Sequence, residues 1–361
     1  MVQLMLKEVD YMNFVVNGHN VFLIVLATFA ASVVFTYLSK LVAVHTGILD
    51  VPNARSAHTK PTPLLGGIGI FLGFLFGFML FGNHNALMIS ILIASFLILL
   101  LGIFDDIKPI PAKYKFIVHI LVACIIVFYG GLKLTNATMF SFKVDFGFMA
   151  SPVTILIIVS IINAINLIDG LDGLCAGISS IYFLTIGVIA LILNQLGGLD
   201  IILSFIMLGA TLGFLVFNFP PAKIFMGDTG STFLGLMISV IMLLGFKTVT
   251  LTSLLIPAVL LVLPIMDTLF AIIRRTINGK PIGSPDKEHI HHQLLKRLST
   301  RKTILTIYGV DLIFSVATVF YAIGYKDEMI IFYILLVFIL LFLVFKTNVI
   351  FTNKEKNKEK K

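Results

Sequence analysis

An all-α bundle of transmembrane helices is the fold this sequence predicts, and three observations carry that expectation. Apolar runs of about 20 residues recur along the chain, the length that crosses the bilayer core as a helix. Hydrophobic residues make up 58% of the chain and charged residues 12%, with a mean hydropathy of +1.06, far from the balance of a water-soluble domain. The runs are continuous and do not alternate over short segments, which excludes an outer-membrane type of barrel. Residues 1–347 read as one transmembrane domain. Residues 348–361 read as a basic tail, solvated and disordered, which touches anionic lipid.

Eleven spans follow from the runs. The first, 21–44, is preceded by Lys7, Glu8 and Asp10 with no clean cleavage pattern, so it is retained and not a signal peptide. The second, 66–82, carries Gly69, Gly73 and Gly77 at four-residue steps, a line for close helix packing. The third, 87–104, ends on Phe104-Asp105-Asp106, and the fourth, 114–130, begins after Lys108, Lys113 and Lys115. Residues 131–150 read as a short polar loop or hairpin. The fifth, 152–168, runs into Asn163-Ala-Ile-Asn166-Leu-Ile-Asp169-Gly170-Leu171-Asp172-Gly173. The sixth and seventh, 174–194 and 199–217, precede a polar stretch from Asn218 to Gly230, and the eighth is 229–246. The ninth, 250–273, ends at Arg274-Arg275, before a long loop carrying His289-Ile-His291-His292. Spans at 303–324 and 329–347 complete the set. Cys124 and Cys175 stand in or beside apolar runs with no CxxC spacing, so neither a disulfide nor a cysteine zinc site is indicated.

An odd number of spans puts the termini on opposite sides. One side holds only Lys7, Lys133, Lys143, Lys247 and Lys326; the other holds the remaining 21 of the 26 lysines and arginines. The basic side is cytoplasmic by the positive-inside rule, giving N-terminus out and C-terminus in. The net charge of +8 is then a topology signal, and nucleic acid is not a partner.

With this topology every polar motif lands on the cytoplasmic side. Ionisable groups at membrane depth are costly and carry a functional presumption. Asn163, Asn166 and Asp169 share a helix face at three-residue steps. Asp172 drifts off that face unless the helix breaks, and Gly170 is placed to allow the break. A plain turn would need neither asparagine. Asp105, Asp106, Asp169, Asp172 and Asp228 together make an acidic cluster that calls for a divalent cation, and oxygen-only ligands favour Mg²⁺ or Mn²⁺. Carboxylates with metal beside basic residues describe phosphate chemistry, and without GxxxxGK[ST] the site is no P-loop. His289, His291 and His292 are poorly spaced for structural zinc; as donors and partial cations beside Arg274 and Arg275 they suit a diphosphate or sugar. A carboxylate-based transporter would place acids near the bilayer midplane and show an internal repeat; the carboxylates read as lying at span ends instead. An intramembrane aspartyl protease would leave Asp105, Asp106 and the histidines idle.

These motifs, in order, resemble the polyprenyl-phosphate N-acetylhexosamine-1-phosphate transferase family. The carriers run from about Val51 to Leu298: Val51-Pro52-Asn53, His58-Thr-Lys60-Pro, Gly66-Gly67, Asp105-Asp106, Asn163 to Gly173, Asn218 to Gly230, Asp267-Thr268 and His289-Ile-His-His292. The His-Ile-His-His form resembles the branch that initiates teichoic acid and enterobacterial antigen. The resemblance implies transfer of GlcNAc-1-phosphate from UDP-GlcNAc to undecaprenyl phosphate with release of UMP, in the bacterial plasma membrane. It implies Asp228 as the Mg²⁺ ligand and Asp105 with Asp106 as the catalytic pair. Leu171, Asp172, Asn218 and Phe225 would line the uridine pocket, with Lys60, Asn166 and Asp169 nearby. Arg274, Arg275 and the histidines would face the sugar and phosphates, and Lys115 the lipid phosphate. The partners implied are both substrates, the bilayer and a second copy of the chain as a homodimer. One departure is visible: His119 stands where many relatives have Gln.

Overall fold

A computed structural model of the chain describes residues 14–16, 18–52, 60–82, 85–139, 142–193, 199–247, 253–277, 279 and 289–346. Asn53, His58 and the basic tail lie outside the described residues. Two compact units divide the chain, Met1–Pro257 and Ala258–Lys361.

The helices of the first unit are α1 (Val21–Thr46), α2 (Gly66–Phe81), α3 (Ala86–Ile107), α4 (Ala112–Cys124, continued as a π-helical turn to Tyr129), α5 (Ala150–Ile168), α6 (Leu174–Ile192), α7 (Leu199–Asn218) and α8 (Gly227–Lys247). Their ends follow local chemistry. Asn20 Oδ1 accepts from Phe22 N at 2.8 Å to start α1, and Gly47, at φ +72°, closes it. Asn85 Oδ1 does the same for α3 through Met88 N at 2.9 Å.

Packing follows the small residues. On α2, Gly69, Gly73 and Gly77 meet Thr36, Ser32 and Thr28 of α1, as the glycine line predicts. Ser32 Oγ donates to Ala210 O of α7 at 2.6 Å, tying α1 to a third helix. Helix α8 is the centre of the unit, 89% of its apolar window enclosed, with α2, α3 and α5 packed on it. At Gly102 of α3 an added Cβ would overlap the backbone of Thr229, so α3 and the start of α8 touch main chain to main chain. That contact positions the site.

Short antiparallel ladders join the ends. Strands β1 (Val15–Val16) and β2 (His19–Asn20) pair, as do β3 (Leu49–Asp50) and β4 (Thr62–Pro63). The hairpin expected within 131–150 is present as β5 (Asn136–Met139) and β6 (Phe142–Asp145).

The second unit begins within the short helix α9 (Leu255–Leu260) and contains α10 (Val262–Ile277), α11 (Ile290–Leu295), α12 (Thr300–Ala322) and α13 (Lys326–Lys346). The single span expected over 250–273 is broken at Leu261. Pro264 has no N–H for the Leu260 carbonyl, so the α-helical ladder cannot run through. Helix α12 packs on α13, with Tyr333 Oη donating to Thr318 Oγ1 at 3.2 Å.

By length and composition, eight helices among the described residues are able to cross a membrane: α1, α3, α4, α5, α6, α7, α8 and α12. The protein is therefore an all-α polytopic membrane protein. Helix α2, at 16 residues, is a shorter apolar helix.

Candidate active site at the helix ends

The last turn of α3 and the first turn of α8 form the floor of the site. Asp106 acts as the cap of α8 although it lies on another helix. Its Oδ1 accepts from Asp228 N at 2.8 Å, and its Oδ2 from Thr229 N at 3.2 Å and Thr229 Oγ1 at 2.5 Å. These are N–H groups that a helix leaves unpaired at its start, and a carboxylate there also meets the positive end of the helix dipole. The chain enters α8 through Gly227, whose φ of +68° and contact with the Asp106 carboxylate leave no room for a Cβ.

Asp228 follows directly and is held from two other helices. Asn166 of α5 donates to its Oδ1 at 3.0 Å and to Ser231 Oγ at 2.9 Å. Lys115 of α4 donates to its Oδ2 at 2.7 Å and, with the same ammonium, to Asp105 Oδ2 at 2.9 Å. Asp105 Oδ1 accepts from Ile110 N at 2.7 Å, which fixes the turn between α3 and α4. Asp105, Asp106 and Asp228 each offer a carboxylate oxygen within 4.8 Å of the others. The donor set is hard oxygen, and a cationic nitrogen already lies between two of its members. Both features fit a divalent cation of the Mg²⁺ class.

Where α5 ends at Ile168, Asp169 and the turn after it leave the helix. The helix does break there, as expected, but the left-handed residue is Gly173 (φ +77°) and not Gly170. Gly173 N donates to Asn218 Oδ1 at 2.8 Å, so the turn is anchored on α7 and the strain falls at that anchor. Burial, then the charges of Asp228, Asp106 and Asp172, raise the Asp169 carboxyl to about 8. Asp172 does not join the three clustered carboxylates, because its Oδ2 accepts from Ala222 N at 2.9 Å. Asn218 is buried and bridges to Ile224 O through Nδ2 at 2.9 Å. These bonds fold the stretch between α7 and α8, which includes a cis Pro220–Pro221 bond, against the turn after α5. Leu171 is buried under the turn. Phe225 pairs through its backbone with Pro63 O and Gly66 N. Lys60 is exposed just before β4, where its carbonyl accepts from Thr62 Oγ1 at 3.1 Å.

The remaining expected residues lie in the second unit. Arg274 and Arg275 are buried near the end of α10. Asp267 of the same helix takes His289 Nδ1 on its Oδ2 at 2.9 Å and Ile290 N on its Oδ1 at 2.8 Å. The rings of His289 and His291 stack with centroids 5.5 Å apart, and His292 tilts against His291 at 4.4 Å. Burial, reinforced by His292 and His289 against the pull of Asp267, lowers His291 to about 3. That shift favours the neutral ring at His291. Asp311 is a correction: it is buried in the middle of α12, whereas the sequence reads as placing the acids at span ends.

Sequence reasoning missed Thr229 and Ser231 as parts of these arrangements, and gave Asp267 only as a carrier of the resemblance, with no role. Gly227-Asp-Thr-Gly-Ser231 before an apolar run is a helix-start signal that points to the first two. Nothing local announces that the cap comes from a residue more than a hundred positions earlier.

Comparison with known proteins shows which family the chain resembles. A model of the family described as glycosyl transferase family 4 matches residues 88–246, the stretch that holds Asp105, Lys115, Asn166 and Asp228. The chain is 44% identical over 291 residues to the "Probable undecaprenyl-phosphate N-acetylglucosaminyl 1-phosphate transferase" of Bacillus subtilis, covering 79% of this chain and 80% of that one. It is 32% identical over 318 residues to the "Decaprenyl-phosphate N-acetylglucosaminephosphotransferase" of Mycolicibacterium smegmatis, covering 78% of each. Over 280 residues it is 29% identical to the "Undecaprenyl-phosphate alpha-N-acetylglucosaminyl 1-phosphate transferase" of Salmonella typhimurium, covering 75% of each.

Proposed function

The chain belongs to glycosyl transferase family 4, among the membrane enzymes that transfer a sugar 1-phosphate to a polyprenyl phosphate, and from that membership we propose its particular reaction. It moves GlcNAc-1-phosphate from UDP-GlcNAc to undecaprenyl phosphate and releases UMP. This is the first lipid-linked step of a cell-envelope glycopolymer, teichoic acid or another polysaccharide. The observation that supports the reading is the bridge of Lys115 between Asp105 and Asp228, one set of charges suited to both an anionic lipid headgroup and a metal–diphosphate.

A phosphate of the acceptor attacks the β-phosphorus of UDP-GlcNAc in line. A new oxygen–phosphorus bond forms while the bond to the oxygen bridging the α- and β-phosphorus breaks, and UMP leaves with that oxygen. Asp228 and Asp105 would hold Mg²⁺ or Mn²⁺, which supplies charge neutralisation for the diphosphate. Asp106, whose two oxygens are given to α8, sets the position of Asp228. Asp105, with Lys115, orients the attacking phosphate, and little proton transfer is needed if that phosphate is already a dianion near its second pKa of about 6. Asp172, Asn218, Leu171 and Phe225 shape the nucleotide side, and Lys60 serves the sugar and phosphates; Arg274, Arg275 and the three histidines form, within the second unit, a set of donors suited to a phosphate. Eleven spans with the N-terminus out and the C-terminus in would put this site at the cytoplasmic face, where UDP-GlcNAc is found.

The test is UMP release by detergent-purified protein given UDP-GlcNAc, undecaprenyl phosphate and Mg²⁺, with and without EDTA. Release that needs both the lipid and the metal is expected. Release only with another UDP-sugar would keep the chemistry and replace the donor, and no release from any donor by folded protein would overturn the proposal.

A further inference from the structure

His119 is buried on α4 one helical turn beyond Lys115. Its Nδ1 faces Asn163 Nδ2 at 3.4 Å. That same amide nitrogen donates to Val159 O at 2.7 Å, so the NH₂ of Asn163, and not its carbonyl, is turned to the ring. An NH₂ hydrogen is answered only by an unprotonated Nδ1, which places the proton of the neutral imidazole on Nε2. Nε2 is buried and meets no acceptor among the described residues. An unanswered buried N–H is costly, and this one lies within the fields of Lys115 and Asp228.

The surroundings indicate what answers it. Helix α4 is among the least enclosed spans, with 28% of its window buried and Phe116, Ile117, Ile120 and Leu121 exposed along it. A polyisoprenoid chain can lie on that apolar surface with its phosphate at Lys115. A water-borne nucleotide sugar has no such chain to lay there. We propose that the Nε2–H of His119 donates to an oxygen of the acceptor's phosphate monoester, making Lys115 and His119 a two-residue phosphate clamp on successive turns of α4. Asn163 is the positioning residue that keeps the imidazole in the donating tautomer.

The inference rests on the reaction proposed above, so its test has an arm that needs no turnover. In purified full-length protein, KM is measured separately for undecaprenyl phosphate and UDP-GlcNAc in the wild type, His119→Leu and His119→Gln. Binding of a short polyprenyl phosphate and of its phosphate-free alcohol is followed by native mass spectrometry. The leucine variant should raise the acceptor KM by about tenfold or more while the donor KM stays within about twofold, as expected for loss of a hydrogen bond to a charged group. Glutamine, which carries an N–H donor of similar reach, should return the acceptor KM to within about threefold. The wild type should prefer the phosphate over the alcohol, and the leucine variant should lose about tenfold of that preference. An unchanged acceptor KM in the leucine variant, equal shifts for both substrates, or glutamine as damaging as leucine would overturn the clamp. Lower melting temperatures with the phosphate preference intact would reduce His119 to a packing residue. Wild-type protein that binds the phosphate selectively but transfers nothing would remove the reaction and leave the contact standing.

Discussion

Lys115 lies between Asp105 and Asp228 as the cation their charges require, and a divalent ion held by the same oxygens competes with that ammonium. Removing the competitor, as in Lys115→Gln, should tighten Mn²⁺ binding by about tenfold in a titration followed by electron paramagnetic resonance. Turnover with lipid acceptor should fall by about a hundredfold or more in the same variant, because the headgroup loses its counter-charge. Weaker Mn²⁺ binding would mean instead that Lys115 organises the carboxylates for the ion. Asp228→Asn should lose both Mn²⁺ binding and turnover. Asp169 lies outside the spans and gives a pH signature. Its folded-state value of about 8 is above the ordinary 3.8, so the native state holds this proton more tightly than the unfolded chain does. The resulting stability is complete below about pH 4 and is lost as the pH rises through about 8. In metal-free protein the wild-type melting temperature should therefore fall relative to that of Asp169→Asn across this window and run parallel to it above. Curves parallel throughout would show that Asp169 titrates normally.

At the scale of elements, the site depends on how α8 begins. Asp106 supplies from α3 the cap that α8 lacks in its own sequence. Asp106→Ala should destabilise the protein by about 1–2 kcal/mol, the usual cost of a lost cap, and should cut turnover by letting Asp228 drift. Asp106→Asn keeps one acceptor oxygen but turns an NH₂ toward the donors of the other, so it should recover only part of the melting temperature. Full stability in both variants with activity lost in both would assign Asp106 to the chemistry itself. Eight of the eleven expected spans are helices long and apolar enough to cross among the described residues, and these were legible because continuous apolar length is itself the physical requirement for crossing a bilayer. The glycine line on α2 was legible for the same kind of reason, since small residues at four-residue steps have one use in a packed helix. The cap was not, because a bond spanning 122 positions leaves no periodic trace. The break before α10 was visible in Pro264 but is hidden by hydropathy, which weighs side chains and ignores the backbone N–H.

For the whole molecule, alternation of the helices does much of the assembly. If α3 to α8 cross in turn, the ends of α3, α5 and α7 and the starts of α4, α6 and α8 fall on one side. Asp105 and Asp106, Asn166, Asn218, Lys115, Asp172 and Asp228 occupy those six positions. The parity of motif positions was thus readable before any contact was known, whereas the contacts that select three carboxylates from five were not, because Asp172 is diverted by one backbone N–H of a loop. The same parity yields a test of orientation. Lys143, exposed on β6, and Lys223, exposed between α7 and α8, are separated by α5, α6 and α7, three helices long and apolar enough to span. If all three cross, the two lysines lie on opposite sides. In a background with Cys124 and Cys175 replaced by alanine, Lys143→Cys in intact cells should react with a membrane-impermeant maleimide, and Lys223→Cys should react only after the membrane is opened. The reverse pattern would invert the molecule and place the acidic cluster outside, away from the nucleotide sugar. Equal labelling of both in intact cells would mean that one of the three helices does not cross, and the six helix ends would then need another reason to meet.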